Sequence, residues 1–246
     1  MNSAAGAAGE SPSGRPRRLS RVLLLPALFC VGLAAIYVFH LDRYLTFQAL
    51  AANRAWLLRQ VAENLTVTVL AFGATYVVAT ALSIPGAAVL TMTAGFLFGT
   101  VFGTGVAVVS ATLGAMVLFL IARTSLGEIF RNRSEGALAR LKDGFAKGAF
   151  NYLLFLRLVP VFPFWLVNLV AAFLDVPLRT FLLGTAIGII PGAAVFASVG
   201  SGIGGIFDRG ETPRLGVIFS PPILIPILAL AVLSLVPIVY RRFRRG

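Results

Sequence analysis

Residues 149–176 read AFNYLLFLRLVPVFPFWLVNLVAAFLDV, an apolar stretch interrupted by Arg157, Pro160, Pro163, Asn168 and Asp175. A helix needs about 20 apolar residues to cross a hydrocarbon core. The pieces on either side of Pro160 and Pro163 are shorter than that. Proline removes a backbone N–H and clashes with the preceding turn, so a helix stops there. Two short apolar helices joined by a proline turn predict a hairpin that enters a membrane and leaves on the same side.

The same stretch holds the chemistry. An arginine inside an apolar segment is costly, and such residues face a polar cavity or a partner. The prolines leave carbonyls without their helical donors, and Asn168 can serve exposed backbone or a ligand headgroup. The planar fork of Arg157 suits a phosphate better than a small cation. Arg157, Asn168, Pro160 and Pro163 are therefore the candidate headgroup site. The competing account pairs Arg157 with Asp175 or Glu63, or makes it a cap on the hairpin tip.

Composition sets the wider frame. Hydrophobic residues make up 58% of the 246-residue chain and charged residues 12%, with a mean hydropathy of +0.92. A soluble domain carries roughly twice that charge. The net charge of +12 comes largely from arginines and lysines that flank apolar runs. Basic residues so placed belong to a membrane surface, and nucleic acid is not an expected partner. Cys30 and His40 are the sole cysteine and histidine, so neither a disulfide framework nor a His/Cys metal cluster is available. No cofactor or metal is expected, and the chain does not read as an enzyme.

Working outward, residues 1–21 form a basic, Ala/Gly/Ser/Pro-rich tail, and 22–39 an uncleaved first transmembrane helix. Residues 41–62 place Phe47, Leu50, Leu57, Leu58 and Val61 at helical spacing, which predicts an interfacial helix. The apolar pieces Leu65–Ile84 and Ala87–Phe98 are separated by Pro85 and Gly86. Residues 101–122 are a Gly/Ala/Ser-rich span, 123–148 a charged amphipathic segment, 178–199 and 217–240 further spans, and 241–246 a second basic tail.

Lysine and arginine cluster in both tails and in 123–148, and are sparser in 40–64 and 200–216. The positive-inside rule then puts both termini and 123–148 in the cytoplasm. Were both pieces to cross, Ala87–Phe98 would be too short for its span; were residues 65–84 alone to cross, 123–148 would lie outside. A hairpin over 65–99, entering from the outer side, meets both constraints. Gly95 and Gly99 are expected, with Pro85 and Gly86, to pack this hairpin. Glu63, at its mouth, is a candidate for proton coupling, as is Asp175.

Two hairpins of opposite entry predict an inverted repeat. Ala94–Phe98 (AGFLF) echoes Ala171–Asp175 (AAFLD), whereas the shared IPGAAV at 84–89 and 190–195 implies a different offset. The first echo aligns the two hairpins. Inverted repeats with broken helices are the plan of many secondary transporters.

Pro85, the run Thr93–Gly99 (TAGFLFG), then Arg157–Pro163 (RLVPVFP) and Asn168 resemble the SNARE-associated Golgi protein family. Its members are also called VTT-domain or DedA-like proteins, and the likeness is nearest to the Tvp-type branch. It covers roughly residues 60–205 and departs from the family pattern at Ala172, where glycine is common. The resemblance implies two facing re-entrant hairpins and transport of lipids between leaflets. The fold class expected is an all-α integral membrane protein with about four full spans and two oppositely entering re-entrant helical hairpins. The partners expected are membrane lipids with phosphate headgroups, with a homo-oligomer left open. The location expected is a bacterial plasma membrane. Besides a lipid flippase or scramblase, a proton-coupled ion or solute transporter and a non-transporting scaffold are retained.

Overall fold

The computed structural model describes residues 52–130, 148–159 and 161–202, with single helical positions between 27 and 34 and between 221 and 235. The tails, Pro160, residues 131–147 and most of the expected spans at 22–39 and 217–240 lie outside this set. Among the described residues every element is helical: α1 Arg54–Glu63, α2 Leu65–Ala81, α3 Ala87–Phe98, α4 Thr100–Phe130, α5 Ala149–Leu158, α6 Phe164–Phe173 and α7 Leu178–Ser201.

Two of these, α4 over Thr100–Ser125 and α7, are long and apolar enough to cross a membrane. Their outer faces are as apolar as their inner ones. Val101, Val109, Leu113 and Leu120 on α4, and Leu183, Ile187 and Ile190 on α7, are exposed. Helices that are hydrophobic all round suit lipid rather than water. One boundary differs from expectation. The segment expected to begin at residue 123 is, up to Phe130, a continuation of α4, because no proline interrupts 101–130.

The four shorter apolar helices form two antiparallel pairs. In the first, Phe72 of α2 meets Phe98 of α3 edge-on at 5.6 Å, and Tyr76 Oη lies 2.8 Å from Thr91 Oγ1. In the second, Arg157 of α5 bonds the Phe164 carbonyl and the Asn168 side chain of α6. Of the segment 41–62 expected as an interfacial helix, residues 54–62 are helical in α1 and 41–51 lie outside the described residues; the junction with α2 is tied by Thr68, whose hydroxyl shares its proton between the Gln60 and Asn64 carbonyls.

The helix ends explain several residues that looked functional. Beyond α2, Ser83 is left-handed at φ 57°, the Ser83 N–H bonds the Thr80 carbonyl and the Ile84 N–H bonds that of Ala79. That is a Schellman motif. Asp175 ends α6 the same way at φ 55°, with its N–H on the Ala172 carbonyl and that of Val176 on Ala171. Aspartate tolerates this conformation better than most residues. At the first hairpin tip Gly86 has φ 121° and Pro85 is exposed, so both serve the turn rather than packing. Gly99, at φ 78°, would meet nothing if given a Cβ; its role is conformational and not the packing expected of it. Gly95 does pack, since a Cβ there would strike the Ala197 backbone of α7.

The offset from Ala94 to Ala171 is 77 residues. The same offset carries Ala81, the end of α2, to Leu158, the end of α5, and Ala87, the start of α3, to Phe164, the start of α6. The IPGAAV offset would instead carry the hairpin tip into the middle of α7. Packing follows the same correspondence: α2 lies on α4 and α5 on α7, while α3 lies on α7 and α6 on α4. Each first arm rests on the long helix that follows it, and each second arm reaches the other one. The α3–α4 contact has no counterpart as close in the second half.

Candidate functional site

Where the two hairpins and the two long helices converge there is a cavity of about 260 Å³. Its walls are Tyr76 and Thr80 of α2, Ala87, Ala88 and Thr91 of α3, Ala107 and Ala111 of α4, Arg157, Phe164, and Ile189, Gly192, Ala193 and Phe196 of α7. A larger hollow of about 490 Å³ between α2 and α4 has no charged residue in its lining among the described residues.

Arg157 is the charged member of the smaller cavity. It sits in the last turn of α5, just before Val159 turns extended at ψ 110° ahead of Pro160. Its Nη1 donates to the Phe164 carbonyl at 3.3 Å, and its Nη2 to Asn168 Oδ1 and, at 3.1 Å, to Thr185 Oγ1. The guanidinium lies 4.2 Å from the Phe164 ring centre and 5.8 Å from that of Phe181, within the range of cation–π attraction. Phe181 in turn stacks on Phe119 of α4 at 4.3 Å.

All of these partners are neutral. Neither Asp175 nor Glu63, the carboxylates considered for Arg157, is among them, and both are exposed. Arg157 Nε and Asn168 Nδ2 are buried without a hydrogen-bond partner. A half-buried cation with neutral partners and an unused donor is ready for an anion, because burying a charge without a counter-charge is costly.

The sequence-derived candidates therefore divide. Arg157 borders the cavity. Asn168, with no exposed surface, does not line it; it positions Arg157 and is not itself open to a headgroup. Pro163 is exposed and opens α6, so it shapes the turn. Pro160 lies outside the described residues. Glu63 and Asp175 are not in the cavity lining. Sequence reasoning missed Thr185 and Gly188 of α7, which form the seat of Arg157, and also the hydroxyls of Tyr76, Thr80 and Thr91. Threonine and tyrosine are common in membrane helices, and only the fold sets these against the cavity.

Residues 84–202, from the first hairpin tip to the last turn of α7, match the VTT domain. The chain belongs to the VTT-domain family. This VTT-domain protein is an integral membrane protein, similar to the Transmembrane protein 41 homolog of Dictyostelium discoideum at 33% identity over 178 residues. That match covers 71% of this chain and 52% of the relative, so the chain spans about half of that protein's length. The Transmembrane protein 41 homolog of Caenorhabditis elegans is 25% identical over 246 residues, covering 95% of this chain and 98% of the relative. Human Transmembrane protein 41B is 27% identical over 178 residues, covering 70% and 58%. The names of these VTT-domain relatives state a transmembrane protein and no substrate. No solved structure matches the chain significantly.

Proposed function

We propose that this protein moves phosphate-bearing lipids between leaflets, with the headgroup passing through the cavity and the tails remaining in the bilayer. The observation that carries this is the half-buried Arg157 guanidinium on the cavity wall, held by three neutral partners. A guanidinium with an unpartnered Nε–H in a small crevice favours a phosphate over a bare cation, which it would repel.

The proposal includes the membrane arrangement: about four full spans, with α2–α3 and α5–α6 as re-entrant hairpins of opposite entry. The shared 77-residue offset and the exchange of packing partners support an inverted repeat, since a two-fold axis would relate the halves in that way. The Lys/Arg distribution favours both termini on the cytoplasmic side, and the proposal keeps a bacterial plasma membrane as the location. The exposed positions of Glu63 and Asp175 favour passive scrambling over a proton-coupled solute carrier, because neither carboxylate borders the cavity.

The test is leaflet-to-leaflet movement of chain-labelled phospholipid in liposomes that contain the purified protein. Movement well above that in protein-free liposomes is expected. Equal rates with and without protein would leave the scaffold account.

A further inference from the structure

The first hairpin supplies the other polar groups of the cavity, and their proton count restricts what they can bind. Tyr76 and Thr91 each carry one hydroxyl proton. Tyr76 Oη and Thr91 Oγ1 are 2.8 Å apart, Thr91 Oγ1 is 2.8 Å from the Ala87 carbonyl and Tyr76 Oη is 3.3 Å from it. If Tyr76 donates to Thr91, then Thr91 donates to Ala87. If Thr91 donates to Tyr76, then Tyr76 donates to Ala87. The two short contacts select the first arrangement, in which both protons are used within the hairpin and the pair presents oxygen lone pairs to a ligand. Thr80, beside them on the wall, has a buried hydroxyl with no partner.

The cavity is thus two-sided in chemistry. Arg157 contributes donors and positive charge, while Tyr76 and Thr91 contribute acceptors. A phosphate satisfies the arginine but not the acceptors, whose buried lone pairs ask for an O–H or N–H. Among the described residues no carboxylate lines the cavity, so selection rests on hydrogen-bond donors rather than on a charge-paired amine.

We propose that the cavity selects phosphodiester lipids whose headgroup carries an O–H or N–H donor beyond the phosphate, over choline lipids, which carry none. Glycerol and ethanolamine headgroups share this chemistry. The inference rests on the lipid-phosphate function above and adds the headgroup class.

The experiment uses the full chain in phosphatidylcholine liposomes with trace chain-labelled phosphatidylglycerol, phosphatidylethanolamine or phosphatidylcholine. The first two should move about fivefold faster than the third, the factor that one net hydrogen bond sustains. A lead of the glycerol lipid assigns the hydroxyl as the preferred donor, and a lead of the ethanolamine lipid the ammonium; either outcome supports the selection. Equal rates for all three overturn the selection while leaving lipid transport standing, and no movement of any lipid overturns both. Tyr76→Phe should bring the three rates together, and the near-isosteric Thr91→Val, which removes the other member of the pair, should narrow them. A preference that persists in either variant overturns the assignment. If Tyr76→Phe fails to insert, Thr91→Val decides alone.

Discussion

Gly188 of α7 lies directly under Arg157: a Cβ added at Gly188 would sit 2.6 Å from the Arg157 Cβ and 3.2 Å from its Cγ. The guanidinium reaches Thr185, one turn back along the same face, only because this turn of α7 has no side chain beneath the arginine stem. Gly188→Ala must therefore push α5 or the arginine aside. Overpacking of this kind costs about 1–3 kcal/mol. The expected outcome is an inserted protein with a lowered melting midpoint in detergent and a several-fold slower lipid movement. An unchanged rate and midpoint would show that the seat is not needed.

Arg157→Ala removes the charge on the cavity wall and frees Asn168, Thr185 and the Phe164 carbonyl. Transport should fall to the protein-free background. Arg157→Lys keeps a point charge but cannot fork, so partial recovery is expected. Full activity of the alanine variant would remove Arg157 from the mechanism. Loss of monodisperse protein in both variants would assign it to holding α5 against α6.

The carboxylates should matter little to transport. Glu63 is exposed at the end of α1, and Asp175 is exposed in the left-handed cap of α6. Glu63→Gln and Asp175→Asn are expected to keep their rates of lipid movement, with no bias under an imposed pH gradient. Asparagine also tolerates the left-handed conformation, so the second change keeps the cap. A gradient-driven bias in the parent chain that vanishes in either variant would establish proton coupling.

Topology can be tested without any transport assay. With Cys30 replaced, single cysteines at Ser134 and Thr212 should react with an impermeant reagent from opposite sides. The motive is the Lys/Arg distribution. Reaction of both from the same side would sink the paired-hairpin arrangement.

The hairpin arms were legible in the sequence because their limits are chemical: Pro85 and Gly86, and Pro160 and Pro163, interrupt the apolar runs, and three of the four pieces they leave are too short to span. Arg157 was legible because a charge in such a run is rare. What it touches was not, because Thr185 and Gly188 lie about 30 residues away on another helix. Gly99 was assigned to packing because glycine serves both close approach and positive φ, and only its backbone angle separates the two. Asp175 looked like a partner for the arginine, whereas its place is set by the end of α6.

The seam between α3 and α7 has a mechanical meaning. A Cβ at Gly95 would strike the Ala197 backbone, and one at Gly200 that of Met92. These two helices meet main chain to main chain at both points, and Met92 and Phe96 of α3 pack beside them against Phe196 and Val199 of α7. Close-packed backbone has no alternative rotamers through which to give way. The second arm of the first hairpin and the last long helix therefore move as one piece. Any widening of the cavity falls to the elements held by longer side chains, α5 through Leu153 and Arg157 against α7 and α6 through Val167 and Phe164 in the apolar clusters. The two sides of α7 thus differ in kind: backbone against backbone toward α3, and side-chain stems seated over glycines toward α5, where the arginine sits.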